Sequence, residues 1–149
     1  MKKKSILLLM LILSLLGMPL TIYLTYLHYK PEASTFCVLS EQFNCDIVNK
    51  SSYAEIFGIP VAIFGFLGYV LFFVLTYGKL IILNKKKINR DSKLTKYLFM
   101  FTLLGFLFSL YLTFLEAFII LAWCIFCLIS ATLVTIMFIY ASILYKRKL

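Results

Sequence analysis

The chain has 149 residues, of which 63% are hydrophobic and 14% charged, whereas soluble domains are about half apolar and about one quarter charged. This composition excludes an ordinary soluble domain and indicates a membrane protein. The formal net charge of +9 does not indicate a nucleic-acid partner, because the basic residues lie in short segments beside the apolar runs. Since lipid offers no hydrogen-bond partners to the backbone, long apolar runs of this kind favour helices.

Four successive runs contain no Asp, Glu, Lys or Arg, and each exceeds the roughly 18 residues that mark a membrane-spanning candidate. They cover residues 5–29, 56–78, 97–115 and 117–145. Only Glu116 separates the last two, but one helix over all 49 residues of 97–145 would be about 73 Å long, more than twice the hydrocarbon thickness of about 30 Å. These two runs must therefore form a hairpin, with its turn between Glu116 and Trp123.

The predicted fold class is an all-α membrane protein, a four-transmembrane-helix bundle that forms a single domain over residues 1–149. Membrane spans are expected at about 5–28, 59–83, 97–118 and 121–145, with a first loop at about 29–58 and a second loop at about 84–96.

Local signals within and after the first loop add detail to this prediction. Ser51 and Ser52, followed by Glu55, are typical of a helix start, so we expect a short interfacial helix over about residues 53–57. On the second span, Gly65 and Gly68 are spaced to let a neighbouring helix approach closely, which is favoured here over a cofactor cleft.

The distribution of basic residues predicts the orientation. Twelve of the fifteen Lys and Arg lie in 2–4, 85–96 and 146–148, on one side of a four-span protein. The positive-inside rule places both termini and the second loop in the cytoplasm, and the mildly acidic first loop and the turn before Trp123 outside it. The first span is expected to be retained, because its 25 uncharged residues exceed the roughly 7 to 15 of a signal-peptide core.

The four cysteines form two pairs, both expected at or beyond the outer membrane face. Cys37 and Cys45 lie in the polar first loop, and Cys124 and Cys127 form a Cys-x-x-Cys at the start of the last span. Cysteines at i and i+3 share one helix face, and disulfides persist in an oxidising compartment. Four cysteines allow three pairings, among which these observations do not choose.

Three kinds of cysteine chemistry compete for this arrangement. Structural disulfides are one, but a Cys-x-x-Cys bridge closes a loop too small to add much stability. A zinc site is another, but a Cys-x7-Cys spacing is wide for zinc and no second shell of His or Asp accompanies it. Thiol–disulfide exchange is therefore favoured, and no metal is expected.

The cysteine pairs belong to a longer series of motifs. In chain order these are Cys37-x7-Cys45, then 46–48 and Ser51, Phe57-Gly58-Ile59-Pro60-Val61, Gly65 and Gly68, Tyr111-Leu112 with Glu116, and Cys124-Ile-Phe-Cys127. This order, over about residues 37–131, resembles the bacterial form of the vitamin K epoxide reductase family. The resemblance implies a four-helix membrane thiol oxidoreductase that passes electrons between a thioredoxin-fold partner and a quinone, either menaquinone or ubiquinone.

The resemblance also implies a role for individual residues. Cys37 corresponds to the cysteine that exchanges with the partner, Cys45 to the one that relays to Cys124, and Cys127 to the one that faces the quinone. Ser51 matches the family's serine near the active-site dithiol, and the adjacent Ser52 is the second candidate.

Three further residues carry open alternatives. Trp123 is a candidate for stacking on the quinone, although tryptophan is also common at membrane boundaries. Glu116 is either an interface anchor or part of a proton route to the quinone. His28, the one histidine of the sequence, is expected to be an interfacial residue.

Departures from the family pattern narrow the expected activity. Animal members use an asparagine and a tyrosine to hydrogen-bond the quinone, where this chain has Val61 and Ala131, so epoxide reduction is not expected.

Bacterial members reoxidise a partner outside the cytoplasm and support disulfide bond formation. Because the chain ends at Leu149, the partner is expected to act in trans. An unrelated bacterial disulfide oxidase has its Cys-x-x-Cys before the wider pair, the reverse of the order here. Thiol-driven quinone or vitamin K epoxide reduction and a non-catalytic protein with structural disulfides remain the alternatives.

Overall fold

Four long helices make up most of the part of the chain that the structure describes. The computed structural model describes residues 2–32, 36–85 and 88–147, with the backbone alone described for 88–90. The long helices are α1 (Lys3–Tyr29), α3 (Val61–Asn84), α4 (Ile88–Leu115) and α5 (Ile125–Lys146). The shorter elements are α2 (Cys45–Asn49), a 3-10 turn (Ser52–Ala54), the strands β1 (Glu55–Ile56) and β2 (Ile59–Pro60), and a π-helical turn (Glu116–Ile120).

The long helices confirm the predicted all-α four-helix membrane bundle. Each is long and apolar enough to cross a bilayer, and the third span runs through the π-helical turn, from Asp91 to Ile120. Many large apolar side chains on these helices remain exposed on the outside of the bundle, as expected where lipid is the solvent. The protein is therefore a multi-pass membrane protein.

Helices α1 and α3 pack closely as an antiparallel pair, because small residues let them approach. Gly17 faces the ring of Tyr69, and a Cβ at Gly65 would lie 3.1 Å from the Thr21 side chain. The prediction for Gly65 is thus confirmed, whereas for Gly68 it is wrong: a Cβ there would meet nothing within 4 Å, because Gly68 borders a cavity. Tyr69 joins a core shared by all four long helices, with Ile6, Leu7, Met10, Leu13, Phe72, Leu98, Val134, Met137, Ala141 and Leu144.

A Gly17→Ala substitution is expected to destabilise the bundle, because the new methyl group would overlap the Tyr69 ring. Overpacking of this kind costs about 1–3 kcal/mol. Gly68→Ala is the matched control, since it makes the same chemical change in open space. Unfolding in detergent, followed by circular dichroism, should therefore show a loss for Gly17→Ala and none for Gly68→Ala; equal stability of the two variants would contradict the packing described.

The first loop differs from its prediction. The expected helix over residues 53–57 is wrong: only Ser52–Ala54 forms a 3-10 turn, and residues 55–60 form a two-stranded hairpin with Glu55 opposite Pro60. Phe57 and Gly58 have φ values of 53° and 75°, the left-handed conformation of a tight hairpin turn. Glu55 does not act as a helix cap, because its carboxylate contacts His28 Nε2 at 3.0 Å.

A short helix does occur in the first loop, but earlier in the chain, at α2. Asn44 caps it: its side-chain oxygen accepts the backbone N–H groups of Asp46 at 3.0 Å and Ile47 at 3.2 Å. Cys45 is the first residue of this helix and Asn49 the last. The cap therefore fixes the position of Cys45.

The first loop pairs with the turn between α4 and α5, and we call this end of the bundle the cysteine end (residues 30–32, 36–60 and 116–124). The backbone N–H of Trp123 donates to Gln42 O at 2.7 Å, and the N–H of Asn44 donates to Trp123 O at 3.1 Å. The chain reverses at Leu121, whose φ of 57° is left-handed. This pairing brings the two cysteine pairs together although they are far apart in sequence.

Candidate active site

The first cysteine pair is a disulfide within the first loop. Cys37 and Cys45 are bonded, with their Cα atoms 5.5 Å apart, and the N–H of Cys45 donates to Cys37 O at 3.2 Å. An isolated antiparallel β-bridge between Val38 and Asn44 joins the two ends of the segment that separates these cysteines. Both cysteines are buried, at 1% and 0% exposure, so an outside thiol has no access to this disulfide unless the loop moves.

The second pair begins α5 as two free thiols. Cys124 is the residue that caps the helix: its Sγ accepts the backbone N–H of Cys127 at 3.3 Å. It also lies 3.2 Å from Sγ of Cys45, while the sulfur atoms of Cys37, Cys45 and Cys124 all lie within 4.8 Å of one another. The sulfur next to Cys124 is already bonded to Cys37, which suits thiol–disulfide exchange.

A cavity of 460 Å³ lies below this cluster, between the four long helices and the first loop. Its volume is in the range of pockets that bind small molecules, about 300–1,000 Å³. Among the residues the structure describes, Cys127 is the one cysteine that lines it. Val61 and Ala131 line it as well. Most of the wall is apolar; its polar residues include His28, Asn49, Ser51, Tyr53, Glu116 and Ser130.

Comparison with protein-family models matches the vitamin K epoxide reductase family over residues 8–142, nearly the whole chain. The chain belongs to the vitamin K epoxide reductase family. Membership makes the protein a membrane oxidoreductase of the thiol–disulfide and quinone-reducing kind. The family uses quinone and is generally linked to thioredoxin-fold partners.

Glu116 lies between the Cys124–Cys127 pair and the cavity. Its Oε2 accepts the backbone N–H of Cys124 at 3.0 Å, and its carboxyl also interacts with the Cys127 thiol. The side chain is buried, at 3% exposure, and lines the cavity. The start of a π-helical turn at Glu116, after the last α-helical turn of α4, is a local irregularity of the kind often found at functional sites.

His28 holds the first loop against α1. Its Nδ1 lies 2.6 Å from Asn49 O, at the end of α2, and its Nε2 lies 3.0 Å from a carboxylate oxygen of Glu55 in the hairpin. Both partners are acceptors, so the two contacts are complete only when both ring nitrogens carry a proton. His28 therefore does more than lie at an interface: it connects the helix that begins at Cys45 with the hairpin beside the cavity.

Ser51 and Trp123 have different surroundings. Ser51 lines the cavity, and its hydroxyl donates to Val48 O at 2.7 Å. Trp123 is not among the described lining residues of the cavity; its backbone instead pairs with residues 42 and 44 of the first loop. The structure thus brings the four cysteines and Ser51 to one site and leaves Trp123 as a backbone anchor at its edge.

Sequence reasoning missed several polar residues of the site. Asn49 lines the cavity with a buried side-chain nitrogen that has no hydrogen-bond partner in the described structure, and Tyr69 OH lies 2.9 Å from Ser130 Oγ. No spacing in the sequence marks these residues, because their neighbours come from distant elements. Asn44 is different: an asparagine directly before an acidic helix start is a recognisable cap, and it would have located α2.

Proposed function

We propose that the protein is a quinone-dependent thiol–disulfide oxidoreductase that reoxidises a thioredoxin-fold partner outside the cytoplasm and supports disulfide bond formation. Electrons pass from the partner to Cys37 and Cys45, then to Cys124 and Cys127, and finally to menaquinone or ubiquinone. One observation carries this proposal: Cys45 Sγ lies 3.2 Å from Cys124 Sγ, while Cys127, one helical turn on, lines a cavity. The sulfur atoms of Cys37, Cys45 and Cys124 are therefore close enough for exchange between the two cysteine pairs.

The route is a series of balanced thiol exchanges. A partner thiolate attacks Cys37, forms a mixed disulfide and releases the Cys45 thiolate. Cys45 then attacks Cys124 of an oxidised Cys124–Cys127 pair and releases Cys127 as a thiolate. The second partner thiol attacks the mixed disulfide and frees Cys37, which attacks Cys45 and releases Cys124. The partner ends as a disulfide, and the inner pair (Cys124 and Cys127) ends as two thiols. In this structure the outer pair (Cys37 and Cys45) is oxidised and the inner pair consists of two free thiols.

The last step moves two electrons and two protons from the inner pair to the quinone. Cys124 and Cys127 form one S–S bond, and the quinone becomes a hydroquinone. The apolar wall of the cavity suits a quinone ring, and the hydrocarbon side chains of Val61 and Ala131 support simple quinone reduction over epoxide opening. Cys127 is the residue that meets the quinone in this proposal, with Ser51 beside it.

Access to the outer pair requires the first loop to open. Cys37 is 1% exposed, so a partner thiol reaches it only after the loop has moved away from the bundle. Among the described residues, the contacts to be released include the backbone pairing at Trp123, the contacts of His28 with Asn49 and Glu55, and the apolar packing of the cysteine pair. The basic segments at the opposite end of the bundle support placing the cysteine end outside the cytoplasm.

Partner capture tests the proposed entry point. In a Cys45→Ala variant, the Cys37 thiol has lost its bonding partner, so it should form a mixed disulfide with the oxidised form of a purified thioredoxin-fold thiol oxidase. Non-reducing electrophoresis and mass spectrometry would identify the adduct and the linked cysteine. Cys37→Ala is the matched control and should give none. Absence of an adduct in Cys45→Ala, or equal adducts in both variants, would overturn the role of Cys37.

A further inference from the structure

The exchange route leaves one chemical requirement unmet, which is the handling of protons inside the membrane. Each inner thiol must lose a proton and the quinone must gain two. Water does this in an open site, but Cys124 is fully buried and Cys127 faces a cavity with a mostly apolar wall. A protein group is therefore needed to take up and pass on a proton near the sulfur atoms.

Glu116 is placed for this task. Its carboxyl contacts the backbone of Cys124 and the thiol of Cys127, and it also borders the cavity. Among the described residues, neither of the two ion pairs includes Glu116. Buried carboxyls inside membrane proteins are expensive to maintain and are characteristic of proton relays.

The other ionisable side chains around the cavity have different engagements. His28 is fixed between Asn49 and Glu55, and Tyr69 contacts Ser130. Tyr53, which also lines the cavity, is exposed. Glu116, in contrast, contacts both Cys124 and Cys127 directly.

We propose that Glu116 is a catalytic residue that takes the proton of the Cys127 thiol and delivers it to an oxygen of the quinone. The proposal rests on the proposed function and adds a proton carrier to it. As the Cys124–Cys127 bond forms, two electrons pass to the quinone; the Cys127 proton moves to the Glu116 carboxylate and from it to the quinone oxygen, while the Cys124 proton supplies the second. The products are one disulfide, one hydroquinone and an unchanged Glu116.

Glu116→Gln and Glu116→Asp separate proton transfer from positioning. Glutamine keeps the length and an oxygen for the Cys124 N–H but carries no exchangeable carboxyl proton; aspartate keeps the carboxyl but is one methylene shorter. We expect single-turnover quinone reduction by the reduced inner pair to fall about 10²-fold in Glu116→Gln, the usual scale for loss of a general acid–base group. Glu116→Asp should retain a clearly higher rate than Glu116→Gln. A glutamine variant as fast as or faster than the aspartate variant would assign Glu116 a positioning role and overturn the proposal.

Controls isolate the effect. Glu41→Gln removes a carboxyl from an exposed loop residue at the same end and should leave the rate unchanged. Exchange between Cys45 and Cys124 should remain normal in Glu116→Gln, since it involves no quinone. If neither variant of Glu116 folds, the wild type itself provides the test: single-turnover quinone reduction should slow in D2O, and no slowing would overturn the proposal.

The two proposals fail separately. If Cys127→Ala still reduces a water-soluble ubiquinone analogue at the wild-type rate, the quinone route through the inner pair is wrong. If that variant is inactive while Glu116→Gln retains the wild-type rate, only the role of Glu116 is wrong. Measuring both variants with the same quinone makes the distinction directly.

Discussion

Replacing Cys127 by alanine is expected to lower quinone reduction by roughly 10³-fold or more, the scale seen when a reacting group is removed from an enzyme. Among the described residues, Cys127 is the one cysteine that lines the cavity, whereas Cys124 is fully buried beside Cys45. Without Cys127, no thiol meets the quinone. The measurement is the absorbance change of a water-soluble ubiquinone analogue with reduced thioredoxin-fold protein as the electron donor; a wild-type rate would contradict the proposed function.

A companion pair of double variants tests the geometry behind this expectation. In Cys37→Ala with Cys127→Ala, mild oxidation should join Cys45 to Cys124, whose sulfur atoms lie 3.2 Å apart. In Cys37→Ala with Cys124→Ala, Cys45 and Cys127 should stay as thiols, because Cys127 does not belong to the compact group of sulfur atoms. Peptide mapping by mass spectrometry distinguishes the two results, and a Cys45–Cys127 bond forming as readily would contradict the relay order.

The membrane bundle could be predicted from the sequence because lipid leaves few structural choices. Uncharged runs long enough to cross a bilayer must be helical, and a run interrupted only at Glu116 was too long for one span. The fold of the first loop could not be predicted in this way. Ser52 and Glu55 match a capping pattern, but Glu55 pairs with His28 from a different helix, and Phe57 adopts a left-handed conformation that its sequence does not mark.

The candidate site, like the fold, could be predicted from the sequence only in part. The order of the cysteine motifs is visible in the sequence and indicates the family. The resemblance to the family in turn implies a relay from Cys45 to Cys124. The backbone pairing of Trp123 with the first loop is not visible, since main-chain hydrogen bonds leave no side-chain pattern. From the sequence, Trp123 at the edge of an apolar run is a candidate for stacking on the quinone. In the structure, its backbone holds the loop that carries the disulfide between Cys37 and Cys45. Asn49 was not predicted either, because the residues that surround it in the cavity wall come from distant elements of the chain.

In the proposed mechanism, the cavity and the cysteine relay are separable parts. The relay depends on the first loop and on the turn before α5, while the cavity is lined largely by side chains of the long helices. A substitution deep in the cavity should therefore affect the quinone alone. Ala131 is suited to this test, because it lies one helical turn beyond Cys127 and faces the cavity.

Ala131→Trp is expected to raise the KM for quinone at least tenfold, which corresponds to about 1.4 kcal/mol of binding free energy. The indole would occupy space in the cavity that the quinone needs, while Cys45 and Cys124 remain in contact. Exchange of the outer disulfide with a reduced partner should accordingly keep its wild-type rate. Steady-state kinetics with varied quinone, together with thiol trapping of the outer pair, would measure the two effects.

Ile129→Trp provides the matched control on the same helix. Ile129 is 43% exposed and is not among the described lining residues of the cavity, so the indole should extend toward lipid and leave the KM unchanged. Equal losses in the two variants would mean that a tryptophan disturbs α5 in general, and an unchanged KM in Ala131→Trp would mean that quinone binds elsewhere. A selective effect of Ala131→Trp would instead place the quinone one helical turn from Cys127, where the electrons leave the relay.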